Sequence, residues 1–194
     1  GNDHYFHLST CDNAGNCTAT VHAGPFWIDT AAPSGVGAVV STSHSTPSGA
    51  ASLVTEWTAA SDGLSGVAGY SVAVAASALP ALCSGALDEA AATATRSPGE
   101  GSWYVHVCAV DFAGNTGPVA VGGPFVIDAT PPSAPGAVTS TSHDSGPTNN
   151  PTIDVEWGAS SDGSGSGVAS YRYGFGSSAS PPSSLRGGQT GAHG

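Results

Sequence analysis

The sequence contains no lysine and only three arginines among its 194 residues. Fourteen aspartate and glutamate residues bring the formal net charge to -11, so the basic surface that binds a phosphate backbone is absent. We therefore expect no nucleic-acid partner. The surplus of carboxylates is compatible with cation binding, with solubility and with tolerance of high salt, and it does not distinguish among them.

Long apolar runs are missing as well. No stretch approaches the ~20 apolar residues that span a bilayer, and no basic start followed by an apolar core indicates a signal peptide. The sequence thus predicts no membrane insertion. Methionine is absent even at the first position, which favours a piece of a longer polypeptide or a processed product.

Charged residues of both signs make up only 9% of the chain, against the roughly 25% of ordinary globular domains. In their place stand 28 glycines and 14 prolines, together with many serine, threonine and alanine residues. Hydrophobic residues still account for 39%, enough for a packed core. This composition predicts a turn-rich, mostly β protein.

The chain repeats itself with a period of about 100 residues, the size of one sandwich domain. The matching ranges are 5–16 with 104–115, 24–44 with 123–143, and 55–72 with 155–173. They predict three domains: residues 1–30 as the last strands of a truncated repeat, 31–129 as one complete repeat, and 130–194 as the first strands of a further truncated repeat with a Gly/Ser/Pro-rich tail.

Within the complete repeat the pattern indicates short strands. Apolar and β-branched residues alternate or cluster in ranges 52–57, 66–75, 103–110 and 119–127, with Gly, Pro, Ser and Asp between them. The crossing segment, residues 77–94, is ambiguous: its alanines permit a helical turn, whereas Pro80 and Gly85 favour an irregular path. The proline of "DTAAPSG" and the proline pair of "DATPPSAPG" predict stiff connectors between repeats.

A tryptophan on an early strand, followed by "SDGLSGVAGY", "WYVHVCAVDFAGNTG" and "IDATPPSAP", resembles the fibronectin type III and bacterial immunoglobulin-like repeats of secreted and cell-surface proteins. The resemblance implies an all-β fold of tandem immunoglobulin-like β-sandwiches, one complete and two partial. It also implies a non-catalytic role in adhesion, spacing or display. The aromatic residues that it assigns to structural positions are Trp57 and Trp157 on the second strand, Tyr70 and Tyr171 on the third, and Tyr5 and Tyr104 on the penultimate strand.

The motif Asp-x-Ala-Gly-Asn occurs twice, in "CDNAGNC" and "VDFAGNT". Its residue types favour a tight turn, because glycine permits positive φ and Asp and Asn side chains bind nearby amides. The alternative hypothesis is a calcium site of hard oxygen ligands near a repeat junction. Its ligands would be Asp12, Asn16 and Asp29, or Asp111, Asn115 and Asp128, with Asp62 and Asp162 as additional candidates.

The four cysteines form two natural pairs. Cys11 and Cys17 flank one of these turns, where paired strands would bring them close enough for a disulfide. Joining Cys83 to Cys108 would close a loop of about 26 residues, worth on the order of 3 kcal/mol. Four cysteines allow three connectivities. No spacing typical of a zinc site is present, and the even count indicates an oxidising, extracellular setting.

No catalytic constellation emerges. The sequence has no G-x-S-x-G elbow, and the glycine-rich range 174–179 leads into "SPPSS" instead of the helix that a dinucleotide fingerprint needs. Asp88 and Glu89 are adjacent, but sequence neighbours rarely share one cleft as an acid and base pair. Histidines recur at equivalent positions of the repeats, which favours structural roles.

The leading hypothesis is a spacer, stalk or adhesion module of a large extracellular or cell-surface bacterial protein, with neighbouring repeats as its partners. One alternative is an accessory module of a secreted carbohydrate-active or proteolytic enzyme. A second is a filament subunit in which the last strands of one copy complete the first strands of another. A third is direct carbohydrate binding, which would need an exposed aromatic platform, for which Trp27 and Trp103 are the spare tryptophans. Other copies of the chain and a surface glycan or protein are further candidate partners.

Overall fold

The computed structural model describes residues 3–177, 179 and 186–189. Over these residues the protein is all-β, with twelve strands and no helix, as the composition and the repeat predict. The chain forms two compact units, Gly1–Ile127 and Asp128–Gly194. Membrane-spanning helices are therefore absent from the described part of the chain.

The strands follow the predicted ranges closely in the complete repeat. In chain order they are β1 (Asp3–Leu8), β2 (Val21–Trp27), β3 (Val40–Ser41), β4 (Leu53–Glu56), β5 (Val67–Ala75), β6 (Thr93–Arg96), β7 (Gly101–Asp111), β8 (Ala120–Ile127), β9 (Val138–Thr139), β10 (Glu156–Trp157), β11 (Tyr171–Tyr173) and β12 (Arg186–Gln189).

Two three-stranded antiparallel sheets build the complete repeat. Their strand orders are β3-β4-β6 and β5-β7-β8. On β4 the side chains of Leu53 and Thr55 are buried while Glu56 is exposed, the period of two that a half-buried strand requires. Both sheets contribute to one core, which is the arrangement of a β-sandwich. Its buried members are Val39, Leu53, Trp57, Tyr70, Val72, Ala94, Val105, Val107, Ala109, Phe125 and Ile127.

The central strand β7 is buried on both faces. Val105 and Val107 belong to the core, whereas the intervening His106 and the following Cys108 point to the opposite face and are equally inaccessible, at 0% exposure. The crossing segment covers that second face. Its path is irregular over 77–92, and only its last two residues enter a strand.

Two kinds of contact hold the crossing segment on β7. His106 Nε2 lies 3.0 Å from the Ser77 carbonyl oxygen, and the Leu82 amide donates to His106 Nδ1 at 3.3 Å. Cys83 is disulfide-bonded to Cys108. Buried polar atoms on β7 therefore gain partners from the segment, which explains why a histidine is tolerated there.

The β1–β2 hairpin repeats the geometry of the β7–β8 hairpin. In both pairs the register shifts by one residue, between His4 and Phe6 and between Trp103 and Val105. Gly123 faces the second shift with φ +120°, and a Cβ there would lie 2.6 Å from the Trp103 carbonyl oxygen. The position thus requires glycine. The next residue, Pro124, has no amide hydrogen to donate to the hydrogen bonds between β7 and β8.

The β1–β2 hairpin lies outside the core. Every residue of both strands is exposed. A second disulfide, between Cys11 and Cys17, closes the connection that follows β1, with a Cα–Cα distance of 4.0 Å. The two disulfides therefore join the pairs that the sequence predicts.

The second unit contains two two-stranded sheets, β9-β10 and β11-β12. The rings of Trp157 and Tyr171 lie 5.6 Å apart, close to the 5.4 Å that separates Trp57 from Tyr70 in the complete repeat. Trp57 and Tyr70 are buried, whereas Trp157 and Tyr171 are half-buried. Tyr104, the remaining expected core residue, is half-buried on β7.

Candidate functional site

The Asp111 carboxylate organises the turn after β7. Its Oδ1 accepts hydrogen bonds from the amides of Ala113, at 2.9 Å, and Asn115, at 2.7 Å, and its Oδ2 accepts one from Asn115 Nδ2 at 2.8 Å. Gly114 occupies the positive-φ position of the turn. Asp111 itself is only 2% exposed. These contacts make the motif a self-bonded turn with a buried carboxylate.

The equivalent turn in the β1–β2 hairpin has the same bonds but remains exposed. Asp12 Oδ1 accepts from the amides of Ala14 and Asn16, and Asn16 Nδ2 donates to Asp12 Oδ2 at 2.9 Å. The Asn16 side chain is the main reason that the pKa of Asp12 lies below its ordinary value. The same hydrogen bonds thus form within each turn, and the two copies differ in the burial of the aspartate.

The connector that follows β2 is held against the complete repeat by Asp29. The amide of Ala31 donates to Asp29 Oδ1 and the amide of Ser65 donates to Oδ2, both at 2.9 Å. Asn115 Nδ2 reaches the Asp29 carbonyl oxygen at 3.2 Å. Two loops far apart in sequence therefore bind one linker residue.

A third aspartate completes the arrangement. Asp62 Oδ1 accepts from the amides of Leu64, at 3.0 Å, and Gly66, at 2.8 Å, which forms the turn that presents Ser65. Carboxylate oxygens of Asp29, Asp62 and Asp111 all lie within 4.8 Å of one another. Of the described residues, these three form the only such group of potential metal ligands. We call them the aspartate cluster.

The three carboxylates of the aspartate cluster concentrate negative charge in one place. Arg96 is the only arginine or lysine in residues 1–127. Its Nη1 is bound to Glu89 Oε1 at 2.6 Å. Carboxylates this close repel one another unless donors or a cation offset the repulsion. In this structure, the offset comes from backbone amides and the Asn115 side chain.

The pKa of Asp29 is lowered from its ordinary value of 3.8. The largest cause is the neighbouring Ser65 side chain, followed by the Ala31 amide, while partial burial acts in the opposite direction. The Ser65 hydroxyl is buried and makes no well-aligned hydrogen bond. The two amides at 2.9 Å are therefore the firmer contacts, and they favour the ionised carboxylate.

The second unit contains the same linker contact. Asp128 Oδ2 accepts from the Ser166 amide at 2.6 Å, and Asp162 Oδ2 accepts from the Gly167 amide at 2.6 Å. The pKa of Asp128 is lowered, chiefly by the Ser166 side chain. The two carboxylates flank Gly165, where an added Cβ would lie within 2.8 Å of both. The linker aspartate and the turn after the tryptophan strand are thus a recurring pair.

The structure groups the candidate calcium ligands differently from the two sets that the sequence predicts. Asp29 lies with Asp62 and Asp111, whereas Asp12 bonds to Asn16 in its own turn. Asn115 faces Asp111 and the Asp29 carbonyl with its Nδ2, a donor, and not with an oxygen ligand. Asp128 belongs to the second unit, together with Asp162.

Sequence reasoning missed Ser65 and Ser166, whose amides bind the linker aspartates. Their signal was present, since both lie in the tripeptide "SGV" after an "SDG" turn. Two of the repeated histidines contact backbone carbonyl oxygens, which is the kind of structural role that the sequence predicts for them. His44 Nε2 lies 2.9 Å from the Ala50 carbonyl oxygen, and His143 Nε2 lies 3.2 Å from that of Asn150.

A cleft of about 490 Å³ opens beside the aspartate cluster. Its lining residues are Trp27, Ile28, Asp29, Leu64, Ser65, Phe112 and Ala113. Trp27 is 79% exposed and its Nε1 donates to Asp3 Oδ1 at 2.9 Å. Trp103, the other spare tryptophan, is half-buried and donates to the Gly99 carbonyl. Only Trp27 of this pair therefore lines the cleft and offers an open aromatic face.

In comparisons with known proteins, no family model matches the chain and no curated protein matches it. Its role is therefore inferred from its own contacts.

Proposed function

We propose that this chain is a non-catalytic structural module of a larger extracellular or cell-surface protein, in which it serves as a spacer or stalk. The observation that supports this role is the fixation of Asp29. A residue of the connector is hydrogen-bonded by the Ser65 amide and the Asn115 side chain, which belong to two different loops of the following repeat. A connector bound in this way transmits orientation from one repeat to the next.

Repetition strengthens the proposal. Asp128 accepts a hydrogen bond from Ser166 in the second unit, as Asp29 does from Ser65 in the first. A contact that recurs with the period of the sequence holds each connector aspartate against a turn of the repeat that follows it. Length and orientation are the properties that adhesion and display require of a stalk.

The resemblance to fibronectin type III and bacterial immunoglobulin-like repeats supports the same role. In the complete repeat two three-stranded sheets share one core, with the rings of Trp57 and Tyr70 packed edge to face. Two disulfides fit an oxidising environment such as the cell exterior. We assign the chain to the surface or the secreted fraction of a bacterium.

The orientation of the β1–β2 hairpin relative to the sandwich tests this proposal. Residual dipolar couplings measured by NMR on the full chain should fit one alignment tensor for both parts. Asp29→Ala should give the hairpin its own, weaker alignment. Asp12→Ala removes an equivalent carboxylate from an exposed turn and serves as the matched control. Independent alignment in the unmodified protein would contradict a spacer built on a fixed connector.

Calcium binding is a second role that the aspartate cluster supports. Calcium takes oxygen ligands, most often carboxylates, and Asp29, Asp62 and Asp111 supply three within 4.8 Å. The ion would supply positive charge, since the only arginine or lysine in residues 1–127, Arg96, is bound to Glu89. Since Asp29 comes from the connector and the other two come from the complete repeat, bound calcium would stiffen the junction. Isothermal titration with calcium chloride tests this directly.

An accessory role beside a secreted carbohydrate-active or proteolytic enzyme is the alternative. Its support is the exposed Trp27 at the edge of the cleft, since an open indole face is suited to stacking on a sugar. Quenching of tryptophan fluorescence by soluble glycans, lost in Trp27→Ala and retained in Trp103→Phe, would favour this alternative. Absence of quenching across a broad glycan panel would count against it.

A further inference from the structure

Apolar side chains around the cleft beside the aspartate cluster are not needed by the turns that carry them. Phe112 takes the place that Asn13 has in the turn after β1, and both turns form the same hydrogen bonds to their aspartate. Leu64 stands where the second unit has Ser164 and Gly165 between the same Asp-Gly and Ser-Gly pairs. Polar and small residues form these turns as well, so Phe112 and Leu64 serve something other than turn formation.

Trp27 adds a second aromatic residue to the cleft from the end of β2. Its neighbour Phe26 corresponds to the core residue Phe125 one repeat later. Trp27 corresponds to Val126, which lies outside the core. It is therefore on the outer face of its strand, which the core of a sandwich does not cover. Its Nε1 donates to Asp3 Oδ1 at 2.9 Å, and this bond fixes the edge of the indole while Trp27 remains 79% exposed.

Phe112 is held in place although it is exposed. Its amide donates to the Gly66 carbonyl oxygen at 3.1 Å, which ties the turn after β7 to the turn that presents Ser65. Its ring lies beside Gly66, where an added Cβ would be 3.8 Å from Cδ2 of Phe112. At 74% exposure, Phe112 keeps most of its surface open to solvent. An aromatic ring that is already fixed loses little freedom when a ligand stacks on it.

The cleft combines apolar surface with negative charge. Asp29 is the only ionisable residue among those that line it. The neighbouring Ser65 side chain and the Ala31 amide lower the pKa of Asp29, so this carboxyl group is an anion at neutral pH. Asp62 and Asp111 add charge within 4.8 Å. The volume of about 490 Å³ falls in the range of small-molecule sites, roughly 300–1,000 Å³.

We propose that this cleft binds small organic cations, with an ammonium group near Asp29 and apolar substituents against Trp27 and Phe112. Aromatic faces attract ammonium groups that lie within about 6 Å of the ring centre. The half-buried Asp29 carboxylate adds Coulomb attraction that bulk water screens only in part. The net charge of -11 also favours the approach of cations over that of anions. The site is additional to the spacer role and does not depend on it.

Titration with choline tests the preference for a cation. Choline chloride replaces sodium chloride at constant ionic strength, in a buffer with a chelator that removes calcium. Heteronuclear NMR spectra of the full chain should show a saturable shift of the Trp27 indole signal, which is the signal missing in Trp27→Phe. The uncharged control is the alcohol in which a tert-butyl group replaces the trimethylammonium group of choline, and it should bind at least about tenfold more weakly.

Three results of this titration would overturn the proposal. Equal shifts with choline and with the alcohol would mean that the cleft recognises apolar shape alone. The absence of a saturable shift with choline would mean that no cation binds there. A shift produced by neutral glycans and not by choline would favour the accessory role instead.

Phe112→Asn separates ligand binding from folding. Asparagine occupies the equivalent position of the turn after β1, so the variant should keep the hydrogen bonds of its turn and its melting temperature. Its affinity for choline should fall by about two- to thirtyfold. Trp103→Phe is the matched control and should keep full affinity, because Trp103 donates to the Gly99 carbonyl and does not line the cleft. Unchanged affinity in Phe112→Asn would overturn the assignment of the site to this cleft.

Discussion

The amide of Ser65 donates a 2.9 Å hydrogen bond to the carboxylate of Asp29, across 36 residues of sequence. The same bond joins Ser166 to Asp128 at 2.6 Å. In each case a residue of a proline-containing connector is held by a turn of the repeat that follows. The connector is thus part of the folded structure. Its contact with the repeat depends on the carboxylate of its aspartate.

Acid should weaken this contact. The pKa of Asp29 in the folded protein lies below its ordinary value of 3.8, so the ionised form stabilises the fold. That contribution is fully present above pH 3.8 and is lost as the pH falls through the lowered pKa. Urea unfolding from pH 5 down to pH 2 should therefore show a steeper loss of stability in the unmodified chain than in Asp29→Asn.

Glu56→Gln, on the exposed side of β4, is the control for this measurement. Its stability should fall with pH about as it does in the unmodified chain. If Asp29→Asn also followed the unmodified chain over the whole range, the Asp29 carboxylate would make no net contribution to stability.

Calcium should raise the melting temperature if the aspartate cluster binds it. A ligand that binds only the folded state adds about 2.7 kcal/mol at a concentration one hundred times its Kd. Differential scanning calorimetry with calcium and with a chelator measures the shift. Asp62→Asn should remove the shift, because Asp62 contributes one of three carboxylates. Asp12→Asn should keep it, and identical melting curves with calcium and chelator would exclude the metal site.

The two disulfides should differ in their effect on stability. Cys83 and Cys108 are 25 residues apart and join the crossing segment to the buried part of β7, so Cys83→Ala with Cys108→Ala should cost on the order of 3 kcal/mol. Cys11 and Cys17 are only 6 residues apart in an exposed hairpin. Their joint replacement by alanine should cost less. Chemical denaturation followed by circular dichroism compares them, and a reversed order would mean that the crossing segment is not fixed by its disulfide.

Leucine-to-alanine substitutions should separate the core from the hairpin. Leu53 is 1% exposed between the two sheets, and Leu53→Ala should lower the free energy of unfolding by about 2–5 kcal/mol. Leu8 is 56% exposed, and Leu8→Ala at low protein concentration should change it by only about 0.5 kcal/mol. Urea titration of both variants gives the comparison. Similar losses would show that Leu8 is buried in solution, within a chain or between chains.

Much of the fold could be predicted because its determinants are local. The alternation of Leu53, Thr55 and Glu56 identifies a half-buried strand. The self-bonded turn of Asp111, Gly114 and Asn115 spans five residues and depends on little outside them. The crossing segment could not be assigned in the same way, since its irregular path is stabilised by His106 and Cys108 on a distant strand.

The sequence by itself determined the all-β class, the period of the repeat, the turn chemistry of Asp12 and Asp111, and which cysteines could meet. The class and the turn chemistry depend on residue type and short spacings, whereas the period follows from comparing the chain with itself. The tertiary structure alone decided that Asp29 lies with Asp62 and Asp111, and that Asn115 binds the linker as a donor. Those contacts join Asp29 to loops that lie 33 and 86 residues later in the sequence. Such residues meet only after the two sheets have packed and the connector has folded against them.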